Sequence, residues 1–513
     1  MLVFIFALIA TIGVTLFLER FIKPKAAIFG ANTLILHSAI VSILFLALTL
    51  IVQRPIFSGI ALVVFFIIVI AVNSAKFKAL KEPLVFSDFA MFSQAFKHPR
   101  LYFPFLGLAP VIIAPIVIIA LIIAVLTLEP AMAFTAQRLL LTLAAIALLF
   151  FFSKTTAEKF TLSSNPAEDN ARYGLINTLV AYTLQARTKE HKQQIRKTLQ
   201  TSPFSQCAPP HFCKADADNK PANKPNITVI QSESFFDARR LHPSIKTNIL
   251  QNFDACNTAS LQYGKLQVPA WGANTMRSEF AFLTGLKYQN MGLYRYYPYQ
   301  FIQQMPVSSI ASALQAQGYY CVCIHPHPAS FFGREALFPK MGFDEFIDIG
   351  SFENAEKFGP YISDQSVTDK IIEITQQVTD KPLFIFAITM ENHGPLHLEK
   401  TNKQEQSDYY SDSKLEHLND LSVYLRHLKN ADKMIKALTD YYSQPSNNLN
   451  KETTLCFYGD HIPSMPEIYQ TTDYDDSCSD YFIWQSSTNP SSEQKDITIE
   501  TLAKRVLTYS KLR

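Results

Sequence analysis

A carboxylate and an imidazole stand side by side near the C-terminal end of the chain, directly after a short run of apolar, β-forming residues. The run at 453–458 ends at Gly459, and Asp460 and His461 follow as neighbours. Ligands bind at the carboxyl ends of strands in open α/β sheets, and a carboxylate beside an imidazole is a compact ligand pair for a divalent metal. Taken alone, Gly-Asp-His is more typical of a turn, so its meaning depends on the rest of the chain.

Two other apolar runs are also followed by side chains that can hold a metal or move a proton. Glu233 directly follows the run at 227–232, and His393 follows closely behind a second run. Because parallel strands end at one edge of a sheet, we expect Glu233 and His393 to converge with Asp460 and His461. For any one of these residues, a helix cap or a surface turn is the alternative.

A divalent metal held by such residues still needs a nucleophile, and Thr275 is the candidate. Gly272 and Asn274 favour a tight turn, and Thr275 then opens an apparent helix. A helix N-terminus stabilises negative charge, so a metal-bound threonine hydroxyl there can lose its proton near neutral pH. The alternative is that Thr275 only caps the helix.

The elements that must position these residues are strands and helices in alternation. After a Pro/Asn/Lys/Ala-rich linker at 214–226, apolar strands alternate with amphipathic helices up to the C-terminus. This alternation predicts an α/β domain with a largely parallel central sheet. The predicted strands cover residues 227–232, 319–324, 383–390, 454–458 and 481–484; the predicted helices cover 307–317, 365–378, 497–509 and part of 414–442.

The first third of the chain predicts a transmembrane domain instead. Its apolar runs approach the roughly 20 residues that a helix needs to cross a bilayer, and they contain almost no charge. Buried core helices are the alternative, and the first run resembles a signal peptide, but it lacks an obvious small-residue cleavage site. Five spans are expected, at residues 2–18, 28–52, 56–73, 104–128 and 134–152. The expected domains are a transmembrane domain (1–152), a juxtamembrane helical region and linker (153–225) and a catalytic α/β domain (226–513).

The distribution of positive charge leaves the orientation in the membrane open. Lysines and arginines cluster in the loops at 20–25 and 76–100, which lie on the same side of a five-span protein. Counted literally, the positive-inside rule places that side and the C-terminal domain in the cytoplasm. The second of these loops is also rich in aromatic residues, as expected for an amphipathic segment on the bilayer surface.

Charge and cysteine content narrow the classes of partner. A net charge of +3 gives no global basic field of the kind that attracts nucleic acid. Cys207 and Cys213 flank a Pro-Pro-His-Phe turn, a spacing that suits a small disulfide loop in an oxidising compartment. Simple packing of these cysteines is the alternative, and a zinc cluster is not expected because the sequence contains no C-x-x-C pair.

Taken in order, these segments resemble the lipoteichoic acid synthase branch of the alkaline phosphatase/sulfatase superfamily. The resemblance covers the whole chain: five spans, a linker and a sulfatase-like domain. The matching segments lie at 231–234, 274–280, 325–334 with 338–343, 391–395 and 459–461. The resemblance implies that Glu233, Thr275, Asp460 and His461 bind one metal ion and that Thr275 is also the nucleophile.

The same resemblance implies which residues contact the substrate. It places His325, Arg334 and His393 around the phosphate, with His393 also acting in catalysis as a proton donor to a leaving alkoxide. Phe332 stands where the family usually has a tryptophan clamp, and Ile462 stands where the lipoteichoic acid enzymes have tyrosine. The acceptor site is therefore expected to differ from that of the polymerases.

The implied function is a membrane-bound phosphoglycerol transferase with a phosphoglyceryl-threonine intermediate. Phosphatidylglycerol would be the donor, a cell-envelope glycan or teichoic-acid-like polymer the acceptor, and Mn²⁺ the metal, with Mg²⁺ or Zn²⁺ as alternatives. The protein is expected in a bacterial inner membrane, with its catalytic domain on the periplasmic or extracellular side. The rival functions are phosphoethanolamine transfer, a sulfatase-like phosphodiesterase or hydrolase, and a non-catalytic sensor or scaffold. The aromatic stretch 294–299 could stack on sugar rings or form a packed loop.

Overall fold

The structure is a computed structural model of the 513-residue chain. It describes residues 2–25, 30–91, 116–120, 122–124, 127–132, 135–205, 224–303, 305–444, 451–487 and 491–512. The chain forms two compact units, Met1–Lys192 and Gln193–Arg513. The domain limits predicted at residues 152 and 225 stay predictions.

The first unit is built from apolar helices. Among the described residues, four helices are long and apolar enough to cross a membrane. The predicted span at 104–128 lies largely outside the described residues, as do Cys207 and Cys213. The helices of this unit are α1 (Leu2–Leu18), α2 (Ala31–Val52), α3 (Pro55–Leu80), α4 (Ala136–Ala157), α5 (Pro166–Tyr173) and α6 (Leu175–Ala186), and α7 (Lys189–Gln200) crosses the boundary between the units.

A buried glutamate joins two parts of the first unit that are far apart in sequence. The Glu19 carboxylate accepts the backbone N–H groups of Leu175 and Ile176, at 3.0 and 3.3 Å. These N–H groups open α6, where a helix leaves its first donors without an internal partner. The apolar side of α6 packs against residues of α2, including Leu36 and Ile40. Helix α6 is therefore held at its N-terminus by charge and along its length by apolar contact.

The second unit is an α/β domain around a nine-stranded sheet. Its strands run in the order β10-β2-β9-β8-β1-β7-β3-β4, and β11 pairs with β2. The strands are β1 (Asn226–Ser232), β2 (Gln262–Gln267), β3 (Tyr320–Ile324), β4 (Glu345–Ile347), β7 (Leu383–Ile388), β8 (Thr453–Gly459), β9 (Ser479–Gln485), β10 (Glu493–Gln494) and β11 (Ile497–Thr498); β5 (Lys357–Phe358) and β6 (Tyr361–Ile362) form a separate hairpin.

The five strands from β8 to β4 are parallel, as predicted, while β9 runs antiparallel to β8 and β2 antiparallel to β9. The helices of this unit are α8 (Gln251–Ala259), α9 (Thr275–Thr284), α10 (Pro298–Ile302), α11 (Ile310–Gln315), α12 (Arg334–Leu337), α13 (Asp364–Gln377), α14 (Lys403–Tyr409), α15 (Asn419–Ser443), α16 (Pro466–Thr471) and α17 (Ile499–Tyr509). The predicted fold class is confirmed.

Both faces of the sheet are buried. Phe457 belongs to the large apolar core that also contains Leu428 and Ile435 of α15. Its neighbour Tyr458 points to the other face, where its ring lies 5.0 Å from that of Phe282 in α9. Successive strand residues point to opposite faces, and parallel strands covered on both faces read as continuous apolar runs. That is why β1, β7 and β8 could be located from the sequence.

Candidate active site

The ends of β1 and β8 bring the predicted metal ligands together. The two strands pair in parallel with Ser232 opposite Gly459, so the residues that follow them, Glu233 and Asp460, leave the sheet side by side. The ligand atoms of Glu233, Asp460 and His461 all lie within 4.8 Å of one another. His461 Nε2 is 3.6 Å from Glu233 Oε1 and 3.3 Å from Asp460 Oδ2.

The state of this cluster fits a bound cation. Asp460 Oδ2 and His461 Nε2 are buried and have no hydrogen-bond partner among the described residues, which is costly unless a ligand satisfies them. Burial, followed by the charge of Asp460, raises the pKa of Glu233 to about 8. Two carboxylates and an imidazole are a donor set that divalent metals accept. These three side chains would hold the ion.

Hydrogen bonds fix the orientation of the three side chains. The backbone N–H of Ser234 donates to Asp460 Oδ1 at 2.8 Å, and its hydroxyl donates to Glu233 Oε1 at 3.0 Å. His461 Nδ1 donates to the carbonyl oxygen of Ile462 at 3.0 Å. That bond places the ring proton on Nδ1 and leaves the lone pair of Nε2 for the metal, the usual arrangement around a metal-bound histidine.

Thr275 is the first residue of α9, and its hydroxyl lies against the cluster. Its Oγ1 donates to Glu233 Oε2 at 3.3 Å. The N-cap position belongs to Asn274, which has a left-handed backbone and no side-chain capping bond, so Thr275 is not the cap. The preceding loop is held by the Gly272 N–H, which donates to the Ile462 carbonyl at 3.0 Å. The buried Ile462 thus links the loop before Thr275 to the loop that carries Asp460 and His461.

Two histidines near the cluster have defined tautomers. His393 Nδ1 donates to the Gly394 carbonyl at 2.7 Å, and His325 Nδ1 donates to the Ile388 carbonyl at 3.2 Å. Both rings therefore keep Nε2 as the basic nitrogen when neutral. Burial lowers the pKa of both rings; the charge of Asp460 partly offsets this at His393, and that of Arg334 lowers the pKa of His325 further.

Arg334 contacts Phe332 and acts electrostatically on His325. The Arg334 guanidinium carbon lies 5.1 Å from the centre of the Phe332 ring. Phe332 has a φ of 59°, a left-handed backbone that is rare for an aromatic residue and marks functional sites. The Arg334 guanidinium itself is bound by Glu279 of α9 at 2.9–3.0 Å.

The structure therefore places the predicted residues in two neighbouring groups. One group contains Glu233, Thr275, Asp460 and His461, and the other contains His325, Phe332 and Arg334. His393 interacts electrostatically with both groups: the charge of Asp460 raises the pKa of His393, and a charge on His393 lowers the pKa of His325.

Sequence reasoning assigned no role to Ser234, Glu279 or His327. The His327 ring lies 5.7 Å from that of His325. His327 is two residues from His325 in the matched segment, which was the available signal. Asp460, which accepts from the Ser234 N–H, and Arg334, which binds Glu279, are distant in sequence. The tyrosines between 294 and 299 are all buried, which favours the packed loop over a sugar-stacking surface.

Residues 225–510, more than half of the chain, match the family model described as Sulfatase. The chain belongs to this family. Its predicted place in the lipoteichoic acid synthase-like branch of the alkaline phosphatase superfamily stays a prediction.

Two relatives from Rhizobium meliloti (strain 1021) are similar in sequence. One is a "Capsular polysaccharide biosynthesis protein RkpI", 26% identical over 462 residues that cover 86% of this chain and 80% of the relative. The other is a "Putative cyclic beta-1,2-glucan modification protein", 33% identical over 256 residues, 49% of this chain. The chain spans only 38% of the length of this second relative.

Two solved structures are similar in fold. The lipooligosaccharide phosphoethanolamine transferase A (EptA) from Neisseria meningitidis, an integral membrane protein, matches 96% of this chain and 94% of its own, with a TM-score of 0.55 and 13% identity. The phosphoglycerol transferase GacH from Streptococcus pyogenes, in complex with sn-glycerol-1-phosphate, covers 63% of this chain and 80% of its own, with a TM-score of 0.48 and 22% identity. The EptA match includes the first unit as well as the α/β unit.

Proposed function

We propose that this protein is a membrane-bound phosphoglycerol transferase that moves glycerol phosphate from phosphatidylglycerol to a cell-envelope glycan through a phosphoglyceryl-threonine. The observation that carries the proposal is the position of Thr275, whose hydroxyl lies 3.3 Å from Glu233 at the start of a helix and beside the three-residue cluster. A hydroxyl in that position is an activated nucleophile, and a helix N-terminus stabilises the negative charge that develops there.

In the first half of the reaction, Thr275 Oγ1 loses its proton to solvent and attacks the phosphorus as the alkoxide, and the bond to the diacylglycerol oxygen breaks. A divalent ion, proposed to be Mn²⁺ with Mg²⁺ or Zn²⁺ as alternatives, would lower the pKa of the hydroxyl and offset charge on the phosphate. Arg334 binds a phosphate oxygen through its free amino group. His393 is neutral in the free protein, but an anionic phosphodiester beside it raises its pKa, so that Nε2 can carry the proton that the departing alkoxide takes.

In the second half, the acceptor hydroxyl attacks the phosphorus. Thr275 leaves as the alkoxide, and His393 Nε2, now neutral, takes the proton of the acceptor. The alkoxide and the protonated His393 with which the first half began are thereby restored. One phosphodiester is exchanged for another, so the reaction needs no nucleotide. That suits a site outside the cytoplasm, and we place the catalytic unit on the periplasmic side of an inner membrane, in spite of the positive charges in its loops.

The acceptor is proposed to be an envelope polysaccharide. The printed names of the two relatives concern a cyclic glucan and a capsular polysaccharide. Phosphoethanolamine transfer is the second candidate, because EptA matches the chain over nearly its full length. The two functions share the nucleophile and differ only in the head group of the donor lipid.

The test is a comparison of donors. Full-length protein in vesicles that contain labelled phosphatidylglycerol or labelled phosphatidylethanolamine, with a soluble β-glucan as acceptor, should release diacylglycerol from the first lipid. Mass spectrometry of trapped protein should then show a glycerol phosphate adduct on the peptide containing Thr275. A phosphoethanolamine adduct would select the second candidate, and hydrolysis without an adduct would remove both.

A further inference from the structure

A fully buried ion pair joins Glu279 of α9, the helix that begins at Thr275, to Arg334. Arg334 donates from Nε to Glu279 Oε1 at 3.0 Å and from Nη2 to Glu279 Oε2 at 2.9 Å. The hydroxyl of Tyr299 donates a third hydrogen bond to Glu279 Oε1 at 2.6 Å. The paired residues are 0–1% exposed, so no water competes for the carboxylate and the fork geometry of the guanidinium is fixed.

The third nitrogen of the Arg334 guanidinium, Nη1, takes no part in this ion pair. Nη1 is buried and has no hydrogen-bond partner among the described residues, although a guanidinium carries two hydrogens there. A buried donor without a partner is costly and points to an anionic ligand at Nη1. Burial and the charge of Arg334 both lower the pKa of His325.

Glu279 shares a helix with the nucleophile. Helix α9 begins at Thr275, and Glu279 lies four residues further on, which places both on one face of the helix, one turn apart. The distance between Thr275 and Arg334 therefore does not depend on a loop, because a single rigid turn and one bidentate contact connect them. Catalytic groups held in this way keep the geometry that the reaction needs.

We propose that Glu279 is a positioning residue that aims Nη1 of Arg334 at the phosphate and, by cancelling the charge of Arg334, makes the pocket select singly charged phosphodiesters over doubly charged phosphomonoesters. This rests on the phosphodiester transfer proposed above. The two positive charges of a divalent ion are balanced by the carboxylates of Glu233 and Asp460, and the charge of Arg334 is balanced by Glu279. The fixed charges of the pocket therefore sum to zero. Such a pocket compensates two negative charges on the ligand less well than one, and a desolvated charge without a partner is disfavoured.

The experiment compares two chromogenic substrates with the full-length protein in detergent. Bis(4-nitrophenyl) phosphate carries one negative charge at pH 8, and 4-nitrophenyl phosphate carries two. For Glu279→Gln we expect the kcat for the diester to fall about 10- to 100-fold, with KM changing less than about threefold. The ratio of kcat/KM for the monoester to that for the diester should rise about tenfold, because the charge of Arg334 is no longer cancelled.

Two more variants separate positioning from charge and cover the case in which Glu279→Gln does not fold. Glu279→Asp keeps the charge but shortens the side chain, and Tyr299→Phe keeps both charges and removes one hydrogen bond. Each should lower kcat for the diester several-fold without changing the preference for the diester. The matched control is Glu335→Gln, which removes an exposed carboxylate beside Arg334 and should behave as wild type.

Binding of inorganic phosphate at pH 8, measured by calorimetry, gives a readout that does not need turnover. Tighter binding to Glu279→Gln than to wild type supports the proposal. Folded Glu279→Gln with wild-type kinetics on both substrates and unchanged phosphate affinity overturns it and leaves the proposed function standing. A wild type that binds phosphate but turns over no diester overturns the proposed function instead.

Discussion

Thr275 Oγ1 lies 3.3 Å from Glu233 Oε2, and the two residues come from different elements of the fold, the start of α9 and the end of β1. This contact puts a hydroxyl at the edge of a buried group of two carboxylates and an imidazole. It ties the chemistry of the threonine to whatever ion that group holds, because a cation there acts on both side chains at once.

The first prediction concerns the nucleophile. Thr275→Ala should lower diacylglycerol release by at least about 1000-fold, since the variant lacks the attacking oxygen. Thr275→Ser keeps the oxygen and should retain a measurable part of the activity, with the covalent adduct on the new serine. The measurement is release of labelled diacylglycerol from vesicles. Undiminished release by the alanine variant would remove the assignment.

The second prediction links metal binding to pH. The pKa of Glu233 is raised to about 8 in the fold, against 4.5 for an ordinary glutamate. The metal-free protein therefore loses stability as the pH rises through this window, by at most about 1.4 kcal/mol per pH unit. A divalent ion replaces the proton, so Mn²⁺ should raise the unfolding temperature more at pH 8.5 than at pH 5.5.

The measurement is thermal unfolding of the detergent-solubilised protein with EDTA or with Mn²⁺ at the two pH values. Glu233→Gln has no carboxylate to titrate at this position, so it should show a smaller difference between the pH values. Glu335→Gln is the control for a carboxylate outside the cluster and should match the wild type. A metal effect of equal size at both pH values would contradict this linkage.

The third prediction concerns proton transfer. His393→Gln should lower turnover about 100- to 10,000-fold, the range expected for loss of a general acid–base. In single-turnover experiments, transfer from the threonine adduct to the acceptor should slow as the pH falls, because the acceptor can give its proton only to a neutral His393. Burial lowers the pKa of this ring in the free protein, and the anionic adduct raises it.

The His393→Gln variant should lose this acidic limb together with most of its rate. His397 lies four residues further on and is exposed, so His397→Gln serves as the matched control and should keep both the rate and the limb. An acidic limb that persists unchanged in His393→Gln would show that another group titrates.

The fourth prediction tests the first unit. Glu19→Ala leaves the buried N–H groups of Leu175 and Ile176 without their acceptor, which should cost about 1–3 kcal/mol. The apparent unfolding temperature in detergent should fall. Glu158→Ala, at an exposed position in the same unit, should leave it unchanged, and equal unfolding temperatures for the two variants would refute the role of Glu19.

Much of the fold could be predicted because its signal is local. The strands β1, β7 and β8 are continuous apolar runs that are covered on both faces, and the structure ends them within two residues of the predicted limits. The strand β2 was not predicted. Its sequence, QYGKLQ, is mostly polar and contains a glycine, and it becomes a strand because β9 and β11 supply its hydrogen bonds.

The sequence by itself determined which side chains follow the strands, and so it determined the candidate cluster of Glu233, Asp460 and His461 and the hydroxyl beside it. Only the tertiary structure decided which charge lies beside Arg334. Glu279 and Arg334 are 55 residues apart. No local sequence pattern predicts that a glutamate in one helix will bind an arginine at the start of another. Strand ends are set by short-range periodicity, whereas the partner of a buried charge is set by which elements the fold brings into contact.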